Sequence, residues 1–245
     1  MMRIVAHRGW SGLAPENTLA AFEMAMAEPD IYAVELDVHL SKDGVPVVIH
    51  DHTIDRTTDG HGNVSAYTLD ELKRFDAGGW FDSRFAGERI PSLDEVLALA
   101  KGRCLLHVEL KTAGDLYPGI EAKVVEALRK RGMTDQAVLS SFDHDSMMRA
   151  KEAGPEIDTC LIFLGKPVLL AEQLRITRAS GLSIHYAYMT KKLMDQMEGL
   201  GIDTGLWTVD DPEHLAKIAA EYPQARVTTN YPDRLLGIVR QSAGA

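Results

Sequence analysis

The sequence predicts an α/β fold in which parallel strands alternate with helices, and three observations support this prediction. The composition is that of an ordinary globular protein, with 245 residues of which 45% are hydrophobic and 25% charged. Short apolar runs with the character of strands are followed, along the whole chain, by segments with helical spacing of apolar residues. No linker or low-complexity tract interrupts this alternation, which favours one domain over residues 1–245.

Nine segments have the pattern of a strand: residues 3–7, 33–39, 46–50, 105–111, 137–142, 158–163, 182–186, 204–209 and 226–230. Only residues 40–44 separate the second and third segments, which is too short for a parallel crossover, and Asp43-Gly44 favours a tight hairpin. The third strand is therefore expected to be antiparallel. The other eight are each followed by an amphipathic segment, near residues 18–28, 93–101, 119–131, 143–153, 168–180, 190–200, 211–222 and 232–241. Eight parallel repeats predict a closed (β/α)8 TIM barrel.

Two insertions interrupt the barrel pattern: the hairpin itself and residues 52–91, which precede the second barrel helix. Thr68-Leu69-Asp70-Glu71 has the capping-box pattern that begins a short helix, and Ser92-Leu93-Asp94-Glu95 repeats it where the barrel resumes. We expect residues 52–91 to fold as a small insertion that acts as a lid.

Composition and charge exclude several classes of function. No run approaches the roughly 18 apolar residues of a membrane span, and the opening residues lack a signal-peptide core, so a cytoplasmic location is expected. Cys104 and Cys160 lie in apolar runs, which indicates buried thiols and not a disulfide. A net charge of −10 should repel nucleic acid and anionic lipid. A small-molecule ligand is favoured, without stable membrane association, and a homo-oligomer is left open.

Ionisable residues concentrate at the ends of four strands, where barrel enzymes place their chemistry: His7 and Arg8, Glu35 and Asp37, His50 and Asp51, Glu109 and Lys111. Residues two apart share one face of a strand, so the members of a pair such as Glu35 and Asp37 point into the barrel mouth together. If Asp43-Gly44 is a two-residue turn, Asp37 lies directly opposite His50.

The carboxylates of Glu35, Asp37 and Glu109 would repel one another strongly at a buried site unless a cation were present. Oxygen ligands of this kind suit a hard divalent ion, Mg²⁺ or Ca²⁺, with Mn²⁺ as a further candidate. The alternative is that these carboxylates form internal salt bridges with Arg8 and Lys111.

His7 and His50 are expected beside this metal site, where imidazoles exchange protons with a reacting group near neutral pH. Either histidine alone would more often be structural, and only their joint placement favours an acid/base pair. The remaining histidines are assigned to the interior, His107 and His185, or to loops and helix surfaces: His39, His52, His61, His144 and His214.

The sequence also resembles the glycerophosphodiester phosphodiesterase family, in its small bacterial cytoplasmic form, over nearly the whole chain. The resemblance rests on the order and spacing of Ala6-His7-Arg8-Gly9, Pro15-Glu16-Asn17-Thr18, Val34-Glu35-Leu36-Asp37-Val38, Ser41-Lys42-Asp43-Gly44, His50-Asp51, Pro91-Ser92-Leu93, Glu109-Leu110-Lys111, Ser140-Ser141-Phe142, Trp207-Thr208-Val209 and Thr229-Asn230-Tyr231-Pro232. Each motif alone is weak, but together they are highly specific.

This resemblance implies a divalent-metal-dependent hydrolase that converts glycerophosphodiesters to an alcohol and sn-glycerol 3-phosphate. It assigns metal binding to Glu35, Asp37 and Glu109, proton exchange to His7 and His50, and phosphate contact to Arg8 and Lys111. Trp207 either walls the substrate cleft or fills the barrel core. The motif suggests that Glu16 and Asn17 support the site, although Asn17 is favoured as the N-cap of the first helix.

The expected mechanism uses one histidine to deprotonate the glycerol 2-hydroxyl for attack on phosphorus while the other protonates the departing alcohol, giving a cyclic glycerol phosphate. Direct attack by water is the alternative, and the sequence does not say which histidine begins as the base. Two alternative functions are those of a lysophospholipase D or sphingomyelinase D, and of a barrel that binds glycerophosphate esters without catalysis.

Overall fold

The structure, a computed structural model, describes residues 2–243 and, of these, the side chains of residues 2–240. Its strands are β1 (Arg3–Ala6), β2 (Ile31–Leu40), β3 (Pro46–Val48), β4 (Leu105–Leu110), β5 (Ala137–Ser141), β6 (Asp158–Phe163), β7 (Gly181–His185), β8 (Asp203–Trp207) and β9 (Arg226–Thr229). Its α-helices are α1 (Leu19–Met26), α2 (Leu69–Leu72), α3 (Leu93–Ala100), α4 (Ile120–Arg131), α5 (His144–Ala153), α6 (Leu170–Thr177), α7 (Lys191–Gly199), α8 (Pro212–Glu221) and α9 (Pro232–Ala243).

Eight of the strands form a closed parallel barrel. Each pairs with its neighbours in the order β1-β9-β8-β7-β6-β5-β4-β2, and a parallel pairing of β1 with β2 closes the ring. Helices on the outside bury their apolar faces against the strands, as in α3, where Val96 and Leu97 are fully buried. The predicted (β/α)8 barrel is confirmed, and all eight parallel strands end at the same face.

β3 pairs antiparallel with β2, as predicted, but the predicted register was wrong by one residue. Val38 pairs with Val48, so the position opposite Asp37 is Ile49 and not His50. The turn contains three residues instead of two, because Ser41 bonds with Val45 and Gly44 adopts a left-handed φ of 75°. A left-handed third residue is typical of a three-residue hairpin loop.

Residues 52–91 surround α2 and a second, smaller hydrophobic core. Its buried members are Val47, Ile49, Ile54, Val64, Leu72, Ala77 and Ile90, so the insertion packs on the outer strand of the hairpin. Both predicted capping boxes are present, at Thr68 with Glu71 and at Ser92 with Glu95. That this insertion acts as a lid stays a prediction.

The two cysteines are free and buried, as expected. Across residues 2–243, no helix combines the length and the apolar character that crossing a lipid bilayer requires.

Candidate active site

Three carboxylates meet at the mouth of the barrel. Glu35 and Asp37 lie on β2 and Glu109 lies on the neighbouring β4, with Asp37 and Glu109 paired in register. One oxygen from each lies within 4.8 Å of the others. Two buried oxygens, Glu35 Oε1 and Asp37 Oδ1, have no hydrogen-bond partner among the described residues. Buried carboxylate oxygens without donors fit a hard cation, which bonds to oxygen and offsets their repulsion.

The electrostatics of this cluster are those of crowded, buried acids. Burial, followed by the nearby charge of Asp37, raises the pKa of Glu35 well above its ordinary value and that of Glu109 to about 7. Burial alone would raise the pKa of Asp37 too, but the charges of Arg8 and Lys111 hold it below its usual range. A divalent cation would favour the ionised form of all three.

Arg8 and Lys111 reach the same cluster. The backbone N–H of Arg8, which has a left-handed φ of 55°, donates to Glu35 Oε2 at 2.9 Å, and its Nε lies 3.3 Å from Asp37 Oδ2. Lys111 Nζ donates to Glu109 Oε1 at 2.8 Å. Both cations therefore pair with the carboxylates, and their contact with a phosphate stays a prediction.

His7 follows β1 and turns its Nε2 toward the carboxylates, at 3.8 Å from Glu35 Oε2. Its Nδ1 lies 2.7 Å from Asn230 Oδ1, and Asn230 Nδ2 donates to Asp210 Oδ2 at 2.6 Å. Because an amide oxygen accepts, Nδ1 carries the proton and Nε2 has the lone pair. Burial, followed by the charge of Arg8, lowers the pKa of His7 to about 4.

His50 approaches from the hairpin side and is also held through its Nδ1, but by a carboxylate. Its Nδ1 lies 2.6 Å from Asp51 Oδ1, while Nε2 lies 3.2 Å from Lys111 Nζ. Burial lowers its pKa despite the opposing charge of Asp37. His39, which we expected at the surface, is instead fully buried, and its Nε2 bonds the backbone oxygen of His50 at 2.9 Å. That expectation was wrong because His39 lies within β2 on the same face as Asp37, where the rings of His52 and Tyr117 cover it.

Arg56, from the insertion, connects His50 to the opposite side of the site. Its guanidinium donates to Asp51 at 2.8 Å and to both oxygens of Glu16 at 2.8 Å. Glu16 in turn accepts from Arg8 Nη1 at 2.8 Å. The chain of ion pairs therefore joins the insertion, the loop after β1 and the histidine of the hairpin.

Asn17 is not the N-cap of α1. Thr18 is the cap, and its side chain accepts from the N–H of Ala21. Asn17 has a left-handed φ of 58° and its Nδ2 donates to Asp37 Oδ2 at 2.8 Å. A short polar side chain tolerates this conformation, so Asn17 is free to orient the carboxylate.

A cavity of about 170 Å³ opens between these groups. Its lining includes His7, Arg8, Glu35, His50, Glu109, Lys111 and Trp207. Trp207 meets Phe142 edge to face, with ring centroids 5.5 Å apart. The seven residues lie at one cavity, and Asp37 adjoins it under Arg8 and Lys111.

Sequence reasoning gave no supporting role to Asn230, Asp210 or Arg56, although it placed Asp51 beside His50. Asn230 follows β9 and Asp210 follows β8, so both stand where strand ends predict functional residues. Arg56 has no comparable signal, because it lies in an irregular segment whose path is set by packing.

Comparison with known proteins shows which family the chain belongs to. Residues 7–234 match the model of the glycerophosphoryl diester phosphodiesterase family. The chain belongs to this family. A glycerophosphodiester phosphodiesterase of Caldanaerobacter subterraneus subsp. tengcongensis is 38% identical over 97% of this chain and 98% of its own length.

Solved structures of the family have the same barrel. A phosphodiesterase of Oleispira antarctica, in complex with the product sn-glycerol-3-phosphate, superposes with a TM-score of 0.87 at 31% identity, over 97% of this chain and 96% of that one. A glycerophosphodiester phosphodiesterase of Agrobacterium tumefaciens superposes with a TM-score of 0.83 at 32% identity, over 97% of this chain and 100% of that one.

Proposed function

We propose that this chain hydrolyses glycerophosphodiesters to an alcohol and sn-glycerol 3-phosphate, using His7 and His50 beside a divalent ion held by Glu35, Asp37 and Glu109. Family membership supports the reaction. The observation that carries the mechanism is the arrangement of the histidines, each with Nδ1 held by another side chain and Nε2 turned to the cavity, toward Glu35 for His7 and toward Lys111 for His50. Two such imidazoles suit paired acid and base catalysis.

The oxygen-only donor set favours Mg²⁺ or Ca²⁺, with Mn²⁺ as a further candidate. When bound, such an ion stabilises the charge that develops on the nonbridging oxygens of the phosphate. Arg8 and Lys111 line the same cavity and add two positive charges beside Asp37. Both side chains would form charge-assisted hydrogen bonds with phosphate oxygens, as they do with carboxylate oxygens.

In the first step, the glycerol 2-hydroxyl attacks phosphorus and the bond from phosphorus to the alcohol breaks. One histidine takes the hydroxyl proton at Nε2, and the other delivers a proton to the departing oxygen. The product is a cyclic glycerol phosphate. Water then attacks phosphorus, the bond to the 2-oxygen breaks, and the two histidines exchange roles to yield sn-glycerol 3-phosphate.

A substrate without the 2-hydroxyl distinguishes this route from direct attack by water. We expect 2-deoxy glycerophosphocholine to bind but to turn over at least roughly 10³-fold more slowly, because the intramolecular advantage is lost. Direct attack by water predicts similar rates for the two substrates and no cyclic species in phosphorus NMR.

The insertion is part of the proposal. Residues 52–91 would cover the single barrel domain as a lid, and the ion pairs of Arg56 with Asp51 and Glu16 support a link between this segment and the catalytic groups. Movement of the insertion would then alter the support of His50.

A lysophospholipase D activity is a second candidate. The loop after β6 exposes Leu164, Val168 and Leu169 to 67%, 82% and 74%, on the face of the barrel where the cavity opens. An apolar rim of this kind suits a substrate with an acyl chain.

The deciding experiment measures sn-glycerol 3-phosphate released from glycerophosphocholine, glycerophosphoethanolamine and glycerophosphoglycerol with Mg²⁺, Ca²⁺ or Mn²⁺. Lysophosphatidylcholine, with lysophosphatidic acid as the measured product, tests the second candidate. A folded protein that binds these esters but cleaves none with any ion would be a binding protein and would overturn the proposal.

A further inference from the structure

Arg56, from the insertion, forms two forked ion pairs at once. Its Nε and Nη2 donate to the two oxygens of Asp51, at 2.8 and 3.0 Å. Its Nη1 and the same Nη2 donate to the two oxygens of Glu16, both at 2.8 Å. A guanidinium presents its N–H donors in a rigid planar fork, so it fixes the orientation of both carboxylates. All three nitrogens of Arg56 are engaged in this way.

Each of these two carboxylates supports a different residue of the cavity. Asp51 Oδ1 also accepts from His50 Nδ1 at 2.6 Å, and Glu16 Oε1 also accepts from Arg8 Nη1 at 2.8 Å. His50 and Arg8 belong to the described residues that line the cavity, whereas Arg56 does not. Arg56 therefore reaches the site only through its two partners.

The charge of Arg56 keeps the two carboxylates together. Its Nη2 contacts one oxygen of each, so two negative groups lie on either side of one nitrogen. Hydrogen bonds with Arg56 are the main cause that lowers the pKa of Asp51. Burial alone would raise the pKa of Glu16, but Arg56 and Arg8 hold it below its ordinary value. Without the guanidinium, the two carboxylates would repel each other and separate.

The turn that carries Arg56 is fixed by the second hydrophobic core. Ile54 is fully buried in that core. Thr58 Oγ1 donates to the backbone oxygen of Ile54 at 2.7 Å and accepts from the N–H of Gly60 at 3.0 Å. A Cβ atom at Gly60 would lie 2.4 Å from the ring of Phe75, so the turn packs closely on that ring. Packing within the insertion thus sets the position of the guanidinium.

We propose that Arg56 is a positioning residue that aligns His50 for proton exchange and Arg8 for phosphate contact at the same time. It acts through Asp51 on the first and through Glu16 on the second. This inference rests on the proposed function and adds that two groups of the cavity share one support. Catalysis then requires the insertion to be docked on the barrel, because the shared support belongs to the insertion.

The test begins with Arg56→Met and the glycerophosphodiester that the wild type hydrolyses fastest. We expect kcat to fall roughly 10-fold to 100-fold, as is typical when the support of a catalytic group is removed. Affinity of the Mg²⁺-loaded protein for sn-glycerol 3-phosphate, measured by calorimetric titration, should fall about 3-fold to 10-fold, because Arg8 loses its orientation. Arg74→Met, at an exposed arginine of the same insertion, is the matched control and should change neither quantity.

The single substitutions at the two partners separate the two effects. Asp51→Asn should lower mainly kcat, and Glu16→Gln should lower mainly the affinity for sn-glycerol 3-phosphate. In the doubly substituted Asp51→Asn, Glu16→Gln protein, Arg56→Met should change kcat by less than about 3-fold, because the residues through which it acts are already altered. An equal loss in both backgrounds would show that Arg56 acts by another route, and no loss in either would show that it has no part in catalysis. Either result overturns the inference.

If Arg56→Met does not fold by circular dichroism, Arg56→Lys carries the test. Lysine keeps the positive charge but cannot form two forked pairs, so kcat should still fall about 3-fold to 10-fold. An unchanged kcat would show that charge alone is sufficient and would contradict a role in positioning. Wild-type hydrolysis is measured in parallel. Its absence contradicts the proposed function, whereas an active wild type with equally active Arg56 variants contradicts this inference alone.

Discussion

The two histidines reach one cavity from two differently built regions. His7 is held by Asn230, a neutral amide on the barrel itself, and Asn230 is held by Asp210. His50 is held by the carboxylate of Asp51, to which Arg56 of the insertion donates a hydrogen bond. The side chain of His7 is 16% exposed and that of His50 is 30% exposed. One imidazole belongs to the rigid barrel and the other depends on a segment packed outside it.

This difference bears on proton exchange. A carboxylate stabilises an imidazolium, whereas an amide oxygen fixes orientation with a smaller effect on charge. His50 is therefore the better site for a proton that must be held, and His7 the better site for a neutral imidazole. We expect His7 to begin as the base and His50 as the acid in the first step.

The largest effect is expected when the metal site, which both histidines adjoin, is lost. Chelation of divalent ions should abolish turnover, and Glu35→Gln, Asp37→Asn and Glu109→Gln should each lose both activity and tight Mg²⁺ binding, measured by titration. Glu198→Gln, an exposed carboxylate on α7, is the control and should bind and react like the wild type. Full activity in excess chelator would contradict the metal site.

The next largest effect is expected from replacing each of the two histidines. His7→Ala and His50→Ala should each lower kcat by roughly 10²-fold to 10⁴-fold without loss of fold. A substrate with a good leaving group, such as a p-nitrophenyl ester of glycerol phosphate, needs no acid. This substrate should restore the activity of His50→Ala but not that of His7→Ala. Restored activity of His7→Ala alone would reverse the assignment of base and acid.

A smaller effect is expected from replacing Asp51, which forms a hydrogen bond with His50. Asp51→Asn should lower kcat by roughly 10-fold to 100-fold. Loss of the carboxylate also lowers the pKa of His50, so the limb of the pH–rate profile that His50 controls should move to lower pH. Asp70→Asn, an exposed carboxylate of the same insertion, serves as control. A profile that keeps its position would show that Asp51 does not act on the proton of His50.

The smallest effect on activity is expected from His39, which supports the hairpin beneath His50. Burial, as the main cause, lowers its pKa from 6.5 to about 4. Between these pH values, His39 binds a proton in the unfolded chain but not in the folded chain. The contribution of neutral His39 to the free energy of unfolding is therefore complete above pH 6.5 and is lost as the pH falls toward 4. The loss amounts to about 3 kcal/mol.

Urea unfolding at pH 7.5 and pH 4.5 measures this contribution. The free energy of unfolding of His39→Gln should fall less over this range than that of the wild type. Equal losses would mean that His39 titrates in the folded protein much as it does in the unfolded chain.

The barrel and the acidic cluster could be predicted from the sequence because both follow from simple periodicities. Glu35, Asp37 and Glu109 stand at strand ends on one face, and the alternation of side chains in a strand decides that face. The position of His50 was harder to predict from the sequence, since one added residue in a turn shifts the register of the hairpin. Asp37 and His50 both reach the site even so, because β3 ends at Val48 and the chain bends at His50.

Arg226 shows the limit of such reasoning. It begins a short strand of ordinary composition, and an arginine at the start of a strand more often faces solvent. Its burial depends on Gly205 from a different strand and on Asp203, so only the assembled barrel reveals it.

The cavity at the mouth of the barrel also has a mechanical consequence. Unfolding under hydrostatic pressure is favoured when internal voids disappear, and the volume change scales with the void eliminated. A barrel with a cavity of about 170 Å³ between its catalytic groups should therefore unfold at lower pressure than one in which side chains fill this space. A ligand that occupies the cavity removes part of this void, so bound sn-glycerol 3-phosphate should make the protein markedly less compressible.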